Sequence, residues 1–166
     1  GDTTFGTLGE IMLNPVLSES ICILKTNNYD LTAANIFIGN SIAEYEYTQI
    51  DCGSSTINVN GYVYIYATDT SGSNTINAES STWNVGGSWT NRDIFNAGTS
   101  TINFVNNAAT SYVSGNTTFN NLTSIVSGKT LAFEAGSTQT IIGTTTISGA
   151  NLVSASSGAR WYIDPQ

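Results

Sequence analysis

The chain has no histidine, so neither a Ser-His-Asp relay nor an imidazole metal site can be built from it. Its cations number four, and Lys25, Arg92, Lys129 and Arg160 stand far apart in sequence. Proteins that grip nucleic acid cluster such residues against phosphate, and anionic membranes are met by polybasic segments. With a net charge of -8, both partners are excluded. Membrane insertion is excluded as well, because no apolar run approaches the ~20 residues of a spanning helix. Phosphate-cradling glycine loops and paired-cysteine zinc spacings are missing. No signal-peptide core precedes Gly1-Asp2-Thr3-Thr4, so this start reads as a processed terminus.

Proline is nearly absent: Pro15 and Pro165 are the only two, both near the ends. A chain that needs every backbone N–H for strand ladders tolerates proline only outside them. Cysteine is equally scarce. Cys22 and Cys52 permit one disulfide, which would fit an oxidising compartment, or serve as two small buried hydrophobes.

What fills the chain instead is Thr, Ser and Asn, at 24, 20 and 19 of its 166 residues. Charged residues make up only 10%, yet hydrophobic residues reach 40%. That is too apolar for a disordered tract. Solubility resting on hydroxyls and amides points to a secreted or cell-surface protein, and the length to a single domain.

The apolar residues recur in a repeated phrase. Cys52-Gly53-Ser54-Ser55-Thr56-Ile57-Asn58-Val59 is echoed by Ala78-Glu79-Ser80-Ser81-Thr82-Trp83-Asn84-Val85. Ala97-Gly98-Thr99-Ser100-Thr101-Ile102-Asn103-Phe104 and Ala135-Gly136-Ser137-Thr138-Gln139-Thr140-Ile141-Ile142 follow. The starts lie 26, 19 and 38 residues apart, and the doubled interval places a weaker copy at Gly115-Asn116-Thr117-Thr118-Phe119-Asn120-Asn121-Leu122. The resulting apolar series is Ile57, Trp83, Ile102, Leu122 and Ile141, with Ile36 and Trp161 extending it. Repetition at this period marks a solenoid. Within each phrase, period-two alternation marks strands with one face inward.

The predicted fold is therefore all-β: a single-stranded parallel β-solenoid (β-helix) of about six coils of 19–26 residues, with an irregular N-terminal segment. Residues 1–19 form a cap or exchange segment and residues 20–166 the solenoid. A β-sandwich is the alternative for short, evenly spaced strands, but it does not require the repeated phrase. On a coil of about 21 residues, neither cysteine stacks over the other, which argues against a bridge.

Four features carry possible chemistry. Glu44 and Glu46 share a strand face, with Asp51 following. Such carboxylates could hydrolyse glycosides or hold Ca²⁺, or simply charge an outer face against strand pairing. Arg92-Asp93 reads as a loop ion pair. In Gly61-Tyr62-Val63-Tyr64-Ile65-Tyr66, alternation displays Tyr62, Tyr64 and Tyr66 on the side opposite Val63 and Ile65, with Tyr45 and Tyr47 expected beside them from the preceding coil. Exposed aromatics of this kind contact sugars or proteins, unless a neighbouring segment covers them. The last feature is a ladder of Ser54/Thr56, Ser80/Thr82, Thr99/Thr101 and Thr138/Thr140, whose outward pairs are similar to those of ice-binding proteins. Against that stand a variable next position (Asn58, Asn84, Asn103, Ile142), the uneven coil length, and the general fitness of Thr for strands. Asn116-Thr117-Thr118 and Asn121-Leu122-Thr123 match glycosylation sequons, motifs that arise by chance in such a composition.

Phrases such as Ala97-Gly98-Thr99-Ser100-Thr101-Ile102-Asn103-Phe104 and Ser127-Gly128-Lys129-Thr130-Leu131-Ala132-Phe133-Glu134-Ala135-Gly136-Ser137 resemble repeats of large prokaryotic surface proteins. Those belong to the right-handed β-helix, pectin-lyase-like and filamentous-haemagglutinin-like group. The resemblance covers residues 20–163 and implies adhesins, fibres or polysaccharide lyases. The lyases use clustered Asp, often with calcium, and a basic residue in a groove. No matching cluster occurs here, so no catalytic residue, cofactor or metal is assigned. The expectation is a non-enzymatic extracellular subunit of a surface fibre, or a stalk segment of a larger surface protein. Its partners would be further copies of itself or neighbouring repeats, with polysaccharide at the tyrosine face as the alternative.

Overall fold

The computed structural model describes residues 8–14, 21–39, 47–67 and 72–166. Among these there is no helix, and nineteen short strands, β1 to β19 in chain order, fall into three files. File one holds β2 (Ile21–Lys25), β4 (Tyr47–Asp51), β7 (Ser73–Asn77), β10 (Ile94–Asn96), β13 (Thr117–Phe119), β16 (Thr138–Ile141) and β19 (Tyr162–Pro165). File two begins with the first half of β3 (Leu31–Ile38) and continues through β5 (Thr56–Val59), β8 (Thr82–Val85), β11 (Thr101–Phe104), β14 (Asn121–Ser124) and β17 (Thr145–Ile147). File three runs from β1 (Leu8–Leu13) through the second half of β3 to β6 (Val63–Ile65), β9 (Trp89–Asn91), β12 (Ser111–Ser114), β15 (Thr130–Phe133) and β18 (Asn151–Ser154). Pairing is parallel throughout, each strand lying on its counterpart one coil away. This is the predicted parallel β-solenoid, with about six coils.

The alternation read from sequence is what closes the core. In β5, β8, β11 and β14 the second and fourth residues are buried and the first and third half-buried. Each buried position sits over its equivalent, so the β-branched and aromatic side chains stack into columns. One column runs Leu31, Ile57, Trp83, Ile102, Leu122, Thr145, with coil lengths of 26, 26, 19, 20 and 23 residues. Midway along the core, Trp89 makes edge-on contacts with Trp83 and Phe95 at ring separations of 5.9 and 4.9 Å, and Phe119 packs against it at 5.7 Å. Aromatic contacts of this kind add to the burial of large apolar areas.

Between files one and two the chain turns through a left-handed residue: Asn28, Gly53, Glu79 and Gly98 all have φ between 51° and 66°. The phrase Ala/Cys-x-Ser/Thr-Ser encodes this turn. At Gly98 a side chain would be driven into the backbone of Glu79. Below the turns, the hydroxyls of Ser55 and Ser81 are buried and satisfied, on Thr26 Oγ1 at 2.7 Å and on the Ala78 carbonyl at 2.6 Å.

Several sequence expectations are corrected by this register. The fourth phrase belongs to file one: Ile141 stacks on Phe119 and Pro165, not on Leu122. A phrase that encodes a turn followed by a strand can serve at two different corners of a coil. Leu31 heads the column instead of Ile36, which lies in file three. Trp161 does not continue the column but stacks on Phe133, with rings 4.0 Å apart and nearly parallel. The first coil takes 26 residues, so Cys22 faces Thr48, and both thiols are free. Within residues 1–19, Leu8–Leu13 pairs with β3, while Pro15 lies outside the described residues.

File one is interrupted once. No ladder joins β10 to β13, so it divides into a four-stranded and a three-stranded sheet.

Candidate functional site

Beside that interruption lies the first candidate. Val63 and Ile65 are fully buried, so Tyr62, Tyr64 and Tyr66 point outward from β6. Tyr62 is 55% exposed. Tyr64 and Tyr66 are half-buried, their rings leaning together at 4.2 Å. On the neighbouring coils Tyr64 meets Phe37 and Thr90. Tyr47 is exposed but belongs to file one, so it is not brought beside them, and Tyr45 lies outside the described residues.

The strip next to these rings is polar. Arg92 does not pair with its neighbour Asp93. Its guanidinium donates instead to Glu134 Oε1 at 2.8 Å, two coils away, and the other carboxylate oxygen accepts the Gly115 amide at 2.6 Å. Arg92 holds the Glu134 carboxyl below its usual range against the opposing effect of burial. In return Glu134 raises Arg92, with the Tyr64 phenol a smaller contributor. A polar hollow of about 260 Å³ opens here, lined by Arg92, Gly115, Asn116, Glu134, Gly136 and Ser137. Sequence reasoning missed this pair, because residues 42 apart meet only once both intervening coil lengths are known.

The second candidate is the outer surface of file two. Thr56, Thr82 and Thr101 stack in one column, followed by Asn121. Thr32, Asn58, Asn84 and Asn103 stack in the next, followed by Thr123 and Thr146. The amides are joined along the axis. Asn103 Nδ2 donates to Asn84 Oδ1 at 3.1 Å, Asn84 to Asn58 at 2.9 Å, and Asn58 to Thr32 Oγ1 at 3.5 Å. Asn121 donates to Thr101 Oγ1 at 3.2 Å and accepts the Thr144 amide at 2.9 Å. Both sequon side chains are engaged, since Asn116 Oδ1 likewise accepts the Thr138 amide at 2.9 Å, although Asn116 is the more exposed. Thr138 and Thr140, expected in this ladder, lie in file one.

The carboxylate expectation divides. Glu44 and Glu46 lie outside the described residues. Asp51 opens a second polar ladder on file one, accepting from Asn77 at 2.8 Å and Gln49 at 2.6 Å and pairing with Lys25 at 3.4 Å; Asn96 then donates to Asn77 at 2.8 Å. Burial works against the Asp51 charge, but these donors outweigh it and bring the pKa below the usual value. Among the described residues no three Cys, Asp or Glu converge on a point where a metal ion could be held. Burial pushes the Cys52 thiol up to about 12, leaving it unreactive near neutrality.

At the first coil, Ile11, Leu13, Leu24, Tyr29 and Leu31 line an apolar cavity of about 190 Å³. No protein-family model, curated protein or solved structure matches the chain.

Proposed function

We propose that this protein is a non-enzymatic, extracellular structural β-solenoid: a subunit of a surface fibre or filament, or a stalk segment of a larger surface protein. The observation that supports the reading is the unbroken parallel stacking of files two and three around a single core that runs along the solenoid. Strand edges at the two ends of such a stack invite more of the same pairing. Among the described residues, the outer edges of β17, β18 and β19 have no strand partner, and the cavity under Leu31 leaves apolar surface open at the other end. Further coils of the same polypeptide or a second copy would satisfy both. The Thr-, Ser- and Asn-rich surface supports secretion, and the resemblance to prokaryotic surface repeats supports the pectin-lyase-like and haemagglutinin-like group. Electron microscopy of the protein isolated from its source should show rods many times longer than six coils. Monodisperse short particles would remove the reading.

A second reading, glycan binding, is supported by the exposed Tyr62 ring and the polar hollow at Arg92. Replacing Tyr62, Tyr64 and Tyr66 by Ser should then abolish retention on polysaccharide without altering circular dichroism. Unchanged retention would eliminate it.

A further inference from the structure

We propose that the outer surface of file two is an ice-binding face. Crystalline water is a rigid, uncharged lattice of donors and acceptors. A protein surface that joins it must be equally regular, uncharged and held still.

Regularity follows from the register. Residues one coil apart lie roughly 4.8 Å apart and alternate residues of one strand roughly 6.7 Å apart, so β5 through β17 display a two-column grid about 19 Å long. It begins at Thr56 and Asn58 and ends at Thr144 and Thr146. The register answers two of the objections visible in sequence, although the columns still change residue type at Asn121 and Thr123. Ile142, which broke the pattern, is not in the grid, and the extra residues of the longer coils are accommodated outside these strands.

The grid is also neutral. None of its strands from β5 to β17 contains a charged residue, and the nearest carboxylates are Asp30 on the first coil and Glu79 in the corner turn. File three is likewise uncharged within its strands from β6 to β18, with Arg92 and Glu134 beside them, whereas file one carries Lys25, Asp51 and Asp164. An ion holds its own hydration shell, which competes with lattice water.

Immobility comes from the hydrogen bonds between rungs, which fix the amide rotamers, and from Thr, whose branched Cβ restricts χ1. Little side-chain entropy remains to be lost on adsorption. Each Thr presents a hydroxyl to enter the lattice and a methyl to fill the space between its oxygens.

The experiment grows ice slowly from a dilute solution of the full chain and compares protein in the ice with protein in the remaining liquid. Wild type should be enriched in the ice and should facet single crystals. Thr82→Tyr combined with Thr101→Tyr, which raises bulk in mid-grid, should lose both effects, as should Thr101→Lys, which adds one charge and leaves the core untouched. Thr140→Tyr, the same change on file one, should behave as wild type. Exclusion of wild type from the ice, or enrichment of a folded Thr101→Lys equal to wild type, would overturn the proposal.

Discussion

Asn84 donates through Nδ2 to Oδ1 of Asn58 at 2.9 Å while its own Oδ1 accepts from Asn103, so one amide holds two coils in register. An Asn is suited to this place because it carries donor and acceptor on one planar group. Asn84→Asp keeps the acceptor and turns the donor into a second oxygen facing Asn58. It should cost about 1–2 kcal/mol at neutral pH, more than Asn84→Ala, with part of the loss recovered when the carboxyl is protonated. Urea titrations followed by tryptophan fluorescence at two pH values would measure this. An Asp variant as stable as wild type at pH 7 would show that the ladder is not holding the rungs.

The two central tryptophans should respond differently to the same change. Trp83 Nε1 donates to Ser81 Oγ at 2.9 Å, whereas the equally buried Trp89 Nε1 has no acceptor. Trp83→Phe loses a hydrogen bond and leaves a void, for a cost of roughly 2–3 kcal/mol. Trp89→Phe leaves a similar void but relieves an unsatisfied buried donor, so its cost should be smaller by about 1 kcal/mol. Denaturation midpoints of the two variants, compared side by side, decide the matter; equal losses would contradict it.

Much of this architecture was readable from residue order because a solenoid writes its geometry locally. Period-two alternation fixed which of Ile57 and Asn58, or Val63 and Tyr64, would be buried, and the repeated phrase fixed the stacking of Ile57, Trp83, Ile102 and Leu122. The failures share one physical cause. Coil length varies from 19 to 26 residues along that column, and nothing local records how many residues a corner will absorb. Ile141 was therefore placed in the wrong file, Tyr47 was expected beside Tyr62, and the Arg92–Glu134 pair went unseen. The expected ladder fared no better: Ser54, Ser80 and Thr99 fall in the corner turns and Thr138 and Thr140 in file one, while the grid pairs Thr56 with Asn58 and ends at Thr144 and Thr146.

Two glycines with nearly the same backbone separate conformational strain from collision. Gly115 and Gly128 have φ of 79° and 77°. A Cβ on Gly128 would meet nothing within 4 Å, so Gly128→Ala should cost only the left-handed penalty of about 1–2 kcal/mol. On Gly115 the same atom would be forced into the backbone carbonyl of Asn91, beside the gap between β10 and β13 where no ladder can share the load. Gly115→Ala should add overpacking of about 1–3 kcal/mol to the strain. Thermal melts that place the two variants together would refute the collision.

The ion pair bridging that gap should make the rod acid-sensitive. Arg92 keeps the Glu134 carboxyl below its unfolded value, near 4.3, so the folded form binds fewer protons than the unfolded one in the window between the two pKa values. Its contribution is complete above the unfolded value and disappears as pH falls through the folded one. The side chains of Arg92 and Glu134 are 40% and 35% exposed, which limits the pair to about 1 kcal/mol or less at neutral pH. Glu134→Gln removes the charge but keeps a carbonyl oxygen for the Gly115 amide. The variant should therefore be slightly less stable than wild type at pH 7 and equal to it at pH 2, with a flatter loss between. Adding 1 M salt at pH 7 should narrow the difference by screening the exposed charges. Parallel stability curves for variant and wild type from pH 7 to pH 2 would mean that the pair does not brace the joint.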